Sequence, residues 1–171
     1  RQRQMCIRDR QYLERVRDVL LFCCFTGLRH SDMLALRWKD IQKTDDGLVI
    51  HVPSMQKTKK PVIVPLGEQA LKWLPKKDDA ANTDKVFPNA PTLGCANRAL
   101  KHMAKNAGIA KLVTFHTSRH TFATLTITAG ADIFTTSKLL GHTNVHTTEI
   151  YADVVMNTKV DAVNLVSGFF G

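Results

Sequence analysis

From Tyr12 the apolar positions fall at helical spacing. Leu13, Val16, Leu20 and Cys24 share one face with Val19 and Cys23 beside it, which predicts a core helix over 12–25. Thr26-Gly27-Leu28 ends it, because glycine readily adopts the left-handed conformation that closes a helix. A short second helix is expected over 31–36. The period then changes: "WKDI", "LVIHV" and "PVIVPL" are short β-rich runs separated by "DDG" and "QKTKK". Asp-Gly between apolar runs signals a hairpin, so a three-stranded antiparallel sheet is expected over 38–65. "LGEQALKWL" predicts a further helix, and Pro75 to Pro91 a polar loop interrupted by "VFP".

The second half returns to the helical period. In "TLGCANRALKHMAKNAGI", Ala96, Leu100, Met103, Ala104 and Ala107 form one face, with Gly108 as the stop. Helices follow over 117–129, 133–140, 144–155 and roughly 159–166, the first backed by a stripe of Phe122, Ala123, Leu125, Ile127 and Ala129. Connections are short, with neither an internal repeat nor a linker. The expected fold class is α+β: one mainly helical domain with a small three-stranded antiparallel sheet near its N-terminal part. The opening "RQRQMCIRDR" fits neither period, and residues 1–11 are expected to form a disordered or foreign tail.

Composition narrows the classes. At 171 residues with 44% hydrophobic and 23% charged positions, the chain has the make-up of a soluble globular domain able to bury a core. No apolar run approaches a membrane span, and the polar start lacks a signal-peptide pattern, so a cytoplasmic protein without a membrane partner is expected. Cys6, Cys23, Cys24 and Cys95 form no CxxC pair, which fits reduced thiols. Charge adds more: 24 basic against 15 acidic residues give +9 and a pI near 9.6. Such an excess favours a polyanion, with nucleic acid as the first candidate.

The densest chemistry lies in "HTSRH", which puts His116, Arg119 and His120 within about one helical turn. Three readings fit: a metal site, a structural helix start, or a site for an anionic substrate. The metal reading draws on His116-x-x-x-His120 and His142-x-x-x-His146. It lacks the glutamate that follows the first histidine in zinc proteases, and it lacks an acidic cluster for a two-metal nuclease. Singly, Arg29, Lys57, His142 and Tyr151 have ordinary explanations: an exposed arginine, a solvated turn, a polar residue after Gly141, a core tyrosine.

In chain order those residues form a known pattern. "TGLRHSDMLALRWKDI", "QKTKKPVIVPL", "HTSRHTFATL" and "LLGHTNVHTTEIYA" together resemble the catalytic domain of the tyrosine recombinases, the phage-integrase family, with a flavour of mobile-element integrases. The resemblance covers about Tyr12 to Asp153. It implies the tyrosine-recombinase catalytic-domain fold and cleavage and religation of DNA through a 3′-phosphotyrosyl link.

The resemblance also implies roles. Tyr151 is the nucleophile, Arg29 and Arg119 clamp the phosphate, and His142 donates a hydrogen bond to it. His116 assists proton transfer from the tyrosine, and Lys57 protonates the leaving 5′-oxygen. Asp32 buttresses an arginine or a histidine, and His120 stands behind Arg119 in a supporting position. Guanidinium forks match phosphate oxygens and stay charged, which suits the two arginines to the task.

Exchanging one ester for another needs neither ATP nor a metal, so no cofactor is expected. The implied partners are double-stranded DNA, further copies of the full-length protein in a tetrameric synapse, and accessory DNA-bending proteins, at the nucleoid. Family members usually carry an N-terminal helical domain that closes the DNA clamp, and the matching residues here begin too late to include it. A non-catalytic DNA-binding module of the same fold and a zinc-dependent hydrolase are the competing readings.

Overall fold

A computed structural model describes the backbone of residues 2–151 and the side chains of residues 10–151. Among the described residues, six helices and three strands run in the order α1 (Gln2–Thr26), α2 (His30–Ala35), β1 (Ile41–Thr44), β2 (Gly47–Val52), β3 (Val62–Pro65), α3 (Glu68–Leu71), α4 (Leu93–Asn106), α5 (Phe115–Thr128) and α6 (Ile133–Leu139). Short 3-10 segments occupy Trp38–Asp40 and Val145–Tyr151. The strands form one antiparallel sheet in the order β1-β2-β3, with Ile50 opposite both Ile41 and Val64. The expected fold class is thus observed.

Burial follows the apolar pattern where that pattern is strongest. Val16, Val19, Phe22 and Cys23 of α1 share one buried cluster with Ile50 and Val64 of the sheet, Ala96 and Leu100 of α4, and Phe115 of α5. A smaller cluster of Phe122, Ala123, Ile127, Leu140 and Tyr151 joins α5, α6 and the last 3-10 segment. The elements that carry the candidate residues therefore pack onto two apolar clusters.

Several boundaries differ from expectation, each for a local reason. The first helix starts at Gln2 rather than near Tyr12. Arg, Gln and Met are good helix formers, and extending an existing helix costs far less than nucleating one. α3 keeps only Glu68–Leu71 of the longer helix expected. "WKDI" enters the sheet only at Ile41, because the Asp40 carboxylate accepts from Arg37 N at 2.9 Å and tightens Trp38–Asp40 into a 3-10 turn. Val145–Tyr151 is 3-10 rather than α-helix, and the remainder of the helix expected over 144–155 and all of that over 159–166 lie outside the described residues. On α5 the buried face is Phe115, Ser118, Arg119, Phe122, Ala123 and Ile127, whereas Leu125 and Ala129 are exposed. Phe122, Ala123 and Ile127 of the expected stripe are buried, and the rest of that face is completed by Phe115 and two polar residues, Ser118 and Arg119.

Two glycines are needed for backbone reasons. Gly27, at the end of α1, has φ +67°, and a Cβ there would sit 2.5 Å from Cδ1 of Phe122. Gly141, after α6, has φ +60°, and a Cβ would collide with the Met55 sulfur. Gly27→Ala adds left-handed strain to overpacking and should cost about 2–4 kcal/mol. Gly94→Ala is the control, since Gly94 is inside α4 with open space at its Cβ and an ordinary φ. Urea unfolding should separate the two variants clearly; equal stability would contradict the packing described for Gly27.

Candidate functional site

The site forms where the start of α5 meets the ends of α1 and α6 and the β2–β3 hairpin. α5 begins at a polar boundary: Thr114 N donates to Thr117 Oγ1 at 3.0 Å, and Phe115 N donates to Asn97 Oδ1 at 3.0 Å. The helix then places His116, Arg119 and His120 on one side of its first turns, at i, i+3 and i+4. The positive end of a 14-residue helix adds to the attraction for an anion there.

Arg119 is 5% exposed, an unusual place for a cation. The fold accommodates it by aiming backbone carbonyls at it. Its Nη1 donates to Gly27 O at 2.7 Å and its Nη2 to Leu140 O. Both carbonyls lie at helix C-termini, where the backbone dipoles leave partial negative charge. Both also adjoin the left-handed glycines Gly27 and Gly141, so the turns that need glycine are the turns that hold the guanidinium. Burial, and then the nearby Arg29 charge, pull the Arg119 pKa down to about 10, which still leaves it charged at neutral pH.

Arg29 precedes α2 in extended conformation and is half-buried. Among the described residues its one side-chain hydrogen bond is weak, from Nη1 to Met55 Sδ at 3.6 Å. Burial pulls its pKa down and the Asp32 charge pushes it back up. Asp32 is 2% exposed and does not pair directly with either arginine within 4.0 Å. Its Oδ1 instead accepts from Gln56 N at 2.7 Å, in the turn of the β2–β3 hairpin. The expected buttress for an arginine or histidine is therefore, in contact terms, an anchor for the turn that carries Lys57. Its charge reaches Arg29 and Arg119 through space, favouring the charged form of both.

Lys57 is exposed at the tip of that hairpin, which is closed by Met55 N to Lys60 O at 2.9 Å and Lys59 N to Met55 O at 3.0 Å. Burial first, and then the charges of Arg119, Arg29 and Lys57, lower the His116 pKa. His116 thus stands within the field of three permanent cations and is neutral at neutral pH. His142 is half-buried after Gly141, and its Nδ1 lies 2.8 Å from Thr148 Oγ1. With the hydroxyl donating to Nδ1, the proton resides on Nε2, the nitrogen left for an anionic ligand. Burial, Arg119 and Arg29 push the His142 pKa down to about 4, so it too is a neutral donor.

Tyr151 ends the last 3-10 segment and is 8% exposed. Its hydroxyl lies 2.6 Å from His120 Nδ1. The expectation for His120 was a supporting position behind Arg119; it is in direct contact with the tyrosine oxygen instead. His116 reaches the tyrosine only through His120, the two imidazoles meeting edge to face at 4.5 Å between centroids. Burial raises the Tyr151 pKa and the Arg119 charge pulls the other way. All eight residues singled out in the sequence are thus gathered around the start of α5, through direct contacts or through their charges on one another.

Sequence reasoning missed the residues that orient this set. Thr148, Gln56 and Met55 act on His142, the Lys57 turn and Arg29, and nothing in their local pattern distinguishes them. His30, next to Arg29, is structural: its Nε2 lies 3.0 Å from Pro91 O and its ring packs edge-on to Phe115. The paired-histidine metal readings find no donor set. His146 Nδ1 is 2.7 Å from Glu149 Oε1 at the surface, His142 engages Thr148, and no three His, Cys, Asp or Glu side chains converge among the described residues.

The model of the phage integrase family matches residues 5–158 of this chain. The chain belongs to the phage integrase family. Its curated relatives include tyrosine recombinase XerD of Pseudomonas putida, 33% identical over 86% of this chain and 50% of that protein. A tyrosine recombinase of Thermosipho africanus is 38% identical over 81% of this chain and again 50% of its own length. This integrase-family chain therefore spans about half the length of those relatives. Among solved structures, XerA recombinase superposes with a TM-score of 0.67 at 25% identity, covering 90% of this chain and 61% of that one. The catalytic domain of bacteriophage HP1 integrase shares the fold, with a TM-score of 0.63 at 23% identity over 92% and 90% of the two chains.

Proposed function

We propose that this chain is the strand-exchanging domain of a site-specific DNA recombinase that works through a 3′-phosphotyrosyl intermediate on double-stranded DNA. One observation carries the reading: a buried tyrosine hydroxyl adjoins a constellation of two arginines, a lysine and three histidines, a set suited to one phosphodiester and to little else. In this reading Arg29 and Arg119 hold the non-bridging oxygens, with His142 Nε2 and the exposed His116 completing the cradle. The Tyr151 oxygen attacks phosphorus as the bond to the 5′-oxygen breaks. Lys57 gives its proton to that oxygen, and religation runs the same steps in reverse with a 5′-hydroxyl of the partner strand. The bond energy is kept in the phosphotyrosyl ester, so the step balances without a nucleotide or metal cofactor. The relatives named tyrosine recombinase support this assignment. A synapse of several copies, accessory DNA-bending proteins and action at the nucleoid belong to the same proposal for the full protein.

The Lys57 assignment has a direct chemical test. Lys57→Ala should slow cleavage about 10²–10³-fold, the range for removing one preorganised charge-stabilising group. A duplex whose scissile 5′-oxygen is replaced by sulfur carries a leaving group that departs without protonation. It should restore the variant to near the wild-type rate on the same substrate. A thio-duplex that leaves the deficit in place would remove Lys57 from the role of general acid.

A further inference from the structure

Attack by a phenol requires that its proton leave. At pH 7 an ordinary tyrosine is about one part in a thousand ionised, a deficit of three powers of ten in reactive species. Burial of Tyr151 deepens that deficit, and the Arg119 charge offsets it only in part. The neighbourhood supplies cations in plenty, but a cation cannot receive a proton. A base is needed in contact with the oxygen.

Among the described residues the one hydrogen bond of the Tyr151 hydroxyl is to His120 Nδ1, at 2.6 Å, and the two rings lie 5.7 Å apart between centroids. We propose that His120 is a catalytic residue of this domain: its Nδ1 receives the phenolic proton as the Tyr151 oxygen attacks phosphorus. The inference rests on the recombinase reading given above. The step balances within named groups. The O–H bond of Tyr151 breaks, its electron pair forms the O–P bond, the P–O5′ bond breaks, and Lys57 protonates the departing oxygen. His120 ends as imidazolium and returns the proton to the tyrosine when the 5′-hydroxyl attacks in religation.

The surroundings fit a base rather than a mere prop. With the Tyr151 hydroxyl donating, His120 is the Nε2–H tautomer and its Nδ1 lone pair faces the phenol. The helical spacing fixes His120 beside Arg119, so a side chain that holds the phosphate and one that takes the proton are locked in register by one turn of α5. His116 packs edge-on to the His120 ring, on a face of α5 shared by the two imidazoles. His116 is exposed, and among the described residues its contact is with the His120 ring and not with the Tyr151 oxygen.

The test separates holding from proton transfer. His120→Asn puts a carboxamide near the position of Nδ1, able to accept the hydrogen bond and unable to accept the proton. His120→Ala leaves an opening at a half-buried position that dissolved imidazole can enter. Covalent capture on a nicked suicide duplex would be timed at saturating DNA and neutral pH, with circular dichroism confirming the fold of each variant. We expect His120→Asn to be slowed about 10²–10⁴-fold, and added imidazole to raise the rate of His120→Ala at least tenfold. A folded His120→Asn that captures DNA within about threefold of wild type would overturn the proposal. So would an imidazole-insensitive, folded and DNA-bound His120→Ala; should the alanine variant not fold, the asparagine variant decides. Capture by wild type with no effect at position 120 refutes this inference alone, whereas no capture by wild type refutes the recombinase reading and this inference with it.

Discussion

Tyr151→Phe should abolish covalent capture of DNA while leaving the fold and DNA binding in place. The substitution deletes one oxygen and keeps the ring that packs with Phe122, Ala123, Ile127 and Leu140. The lost hydrogen bond to His120 should cost about 1–2 kcal/mol. Arg29, Lys57 and Arg119 remain, so affinity for duplex DNA should change little and should still fall steeply with added salt, as phosphate-dominated binding does. Capture, by contrast, should drop below detection, because no other group within the cradle can form the ester. Thermal melting, a native binding assay and a denaturing gel on the same sample distinguish the three quantities. A variant that still forms the adduct, or one that loses binding along with it, is incompatible with the assignment.

Arg119 should show the second large effect, and it should appear in stability and chemistry together. Its guanidinium is buried and holds the carbonyls that end α1 and α6. Arg119→Ala leaves two buried carbonyl oxygens without that donor and opens a void beside Phe122, for a loss of about 3–5 kcal/mol in urea unfolding. Arg119→Lys keeps the charge but offers a point donor in place of a fork, so it can serve one carbonyl and not both. The lysine variant should fold with a smaller loss and still capture DNA about 10²–10³-fold more slowly than wild type. Wild-type stability in Arg119→Ala would contradict the stapling role. A wild-type capture rate in Arg119→Lys would contradict the phosphate role.

The two halves of the molecule differed in how far the sequence revealed them. The α1 core face, the hairpin at Asp46-Gly47 and the α4 face were legible because each is a strong pattern with one physical meaning: a 3.6 period, a turn dipeptide, a row of small apolar residues. The α5 face was not, since Ser118 and Arg119 share it and satisfy their polar groups internally, Ser118 Oγ through Phe115 O at 2.7 Å. Hydrophobicity cannot see a buried polar side whose partners are backbone carbonyls. The 3-10 character of Val145–Tyr151 was hidden for a similar reason. Asn144 ties up that turn, its side chain accepting from His146 N at 3.0 Å and its carbonyl from Thr147 N at 3.2 Å, which competes with a regular α-helix.

For the site, residue types and order were enough to suggest that Arg29, Lys57, His116, Arg119, His142 and Tyr151 act together, whereas their connections were not legible. Spacing placed Asp32 one helical turn from Arg29, yet the carboxylate turned to Gln56 N because the hairpin folds over it. Spacing likewise placed His120 beside Arg119, yet the contact that matters comes from a residue 31 positions away. Long-range contacts of this kind are set by packing of α5 against the final 3-10 segment, and no local pattern encodes them.

In the proposed reaction Tyr151 becomes covalently joined to DNA. The most direct measurement is mass mapping of the adduct formed with a nicked suicide duplex in the presence of a metal chelator. After nuclease and trypsin digestion, Tyr151 lies in the peptide Leu139–Lys159 and the other tyrosine, Tyr12, in Gln11–Arg15. A nucleotide mass, linked through its 3′-phosphate, is expected on the first peptide and none on the second. A nucleotide on Tyr12, or an adduct that forms only when a divalent ion is supplied, would contradict it.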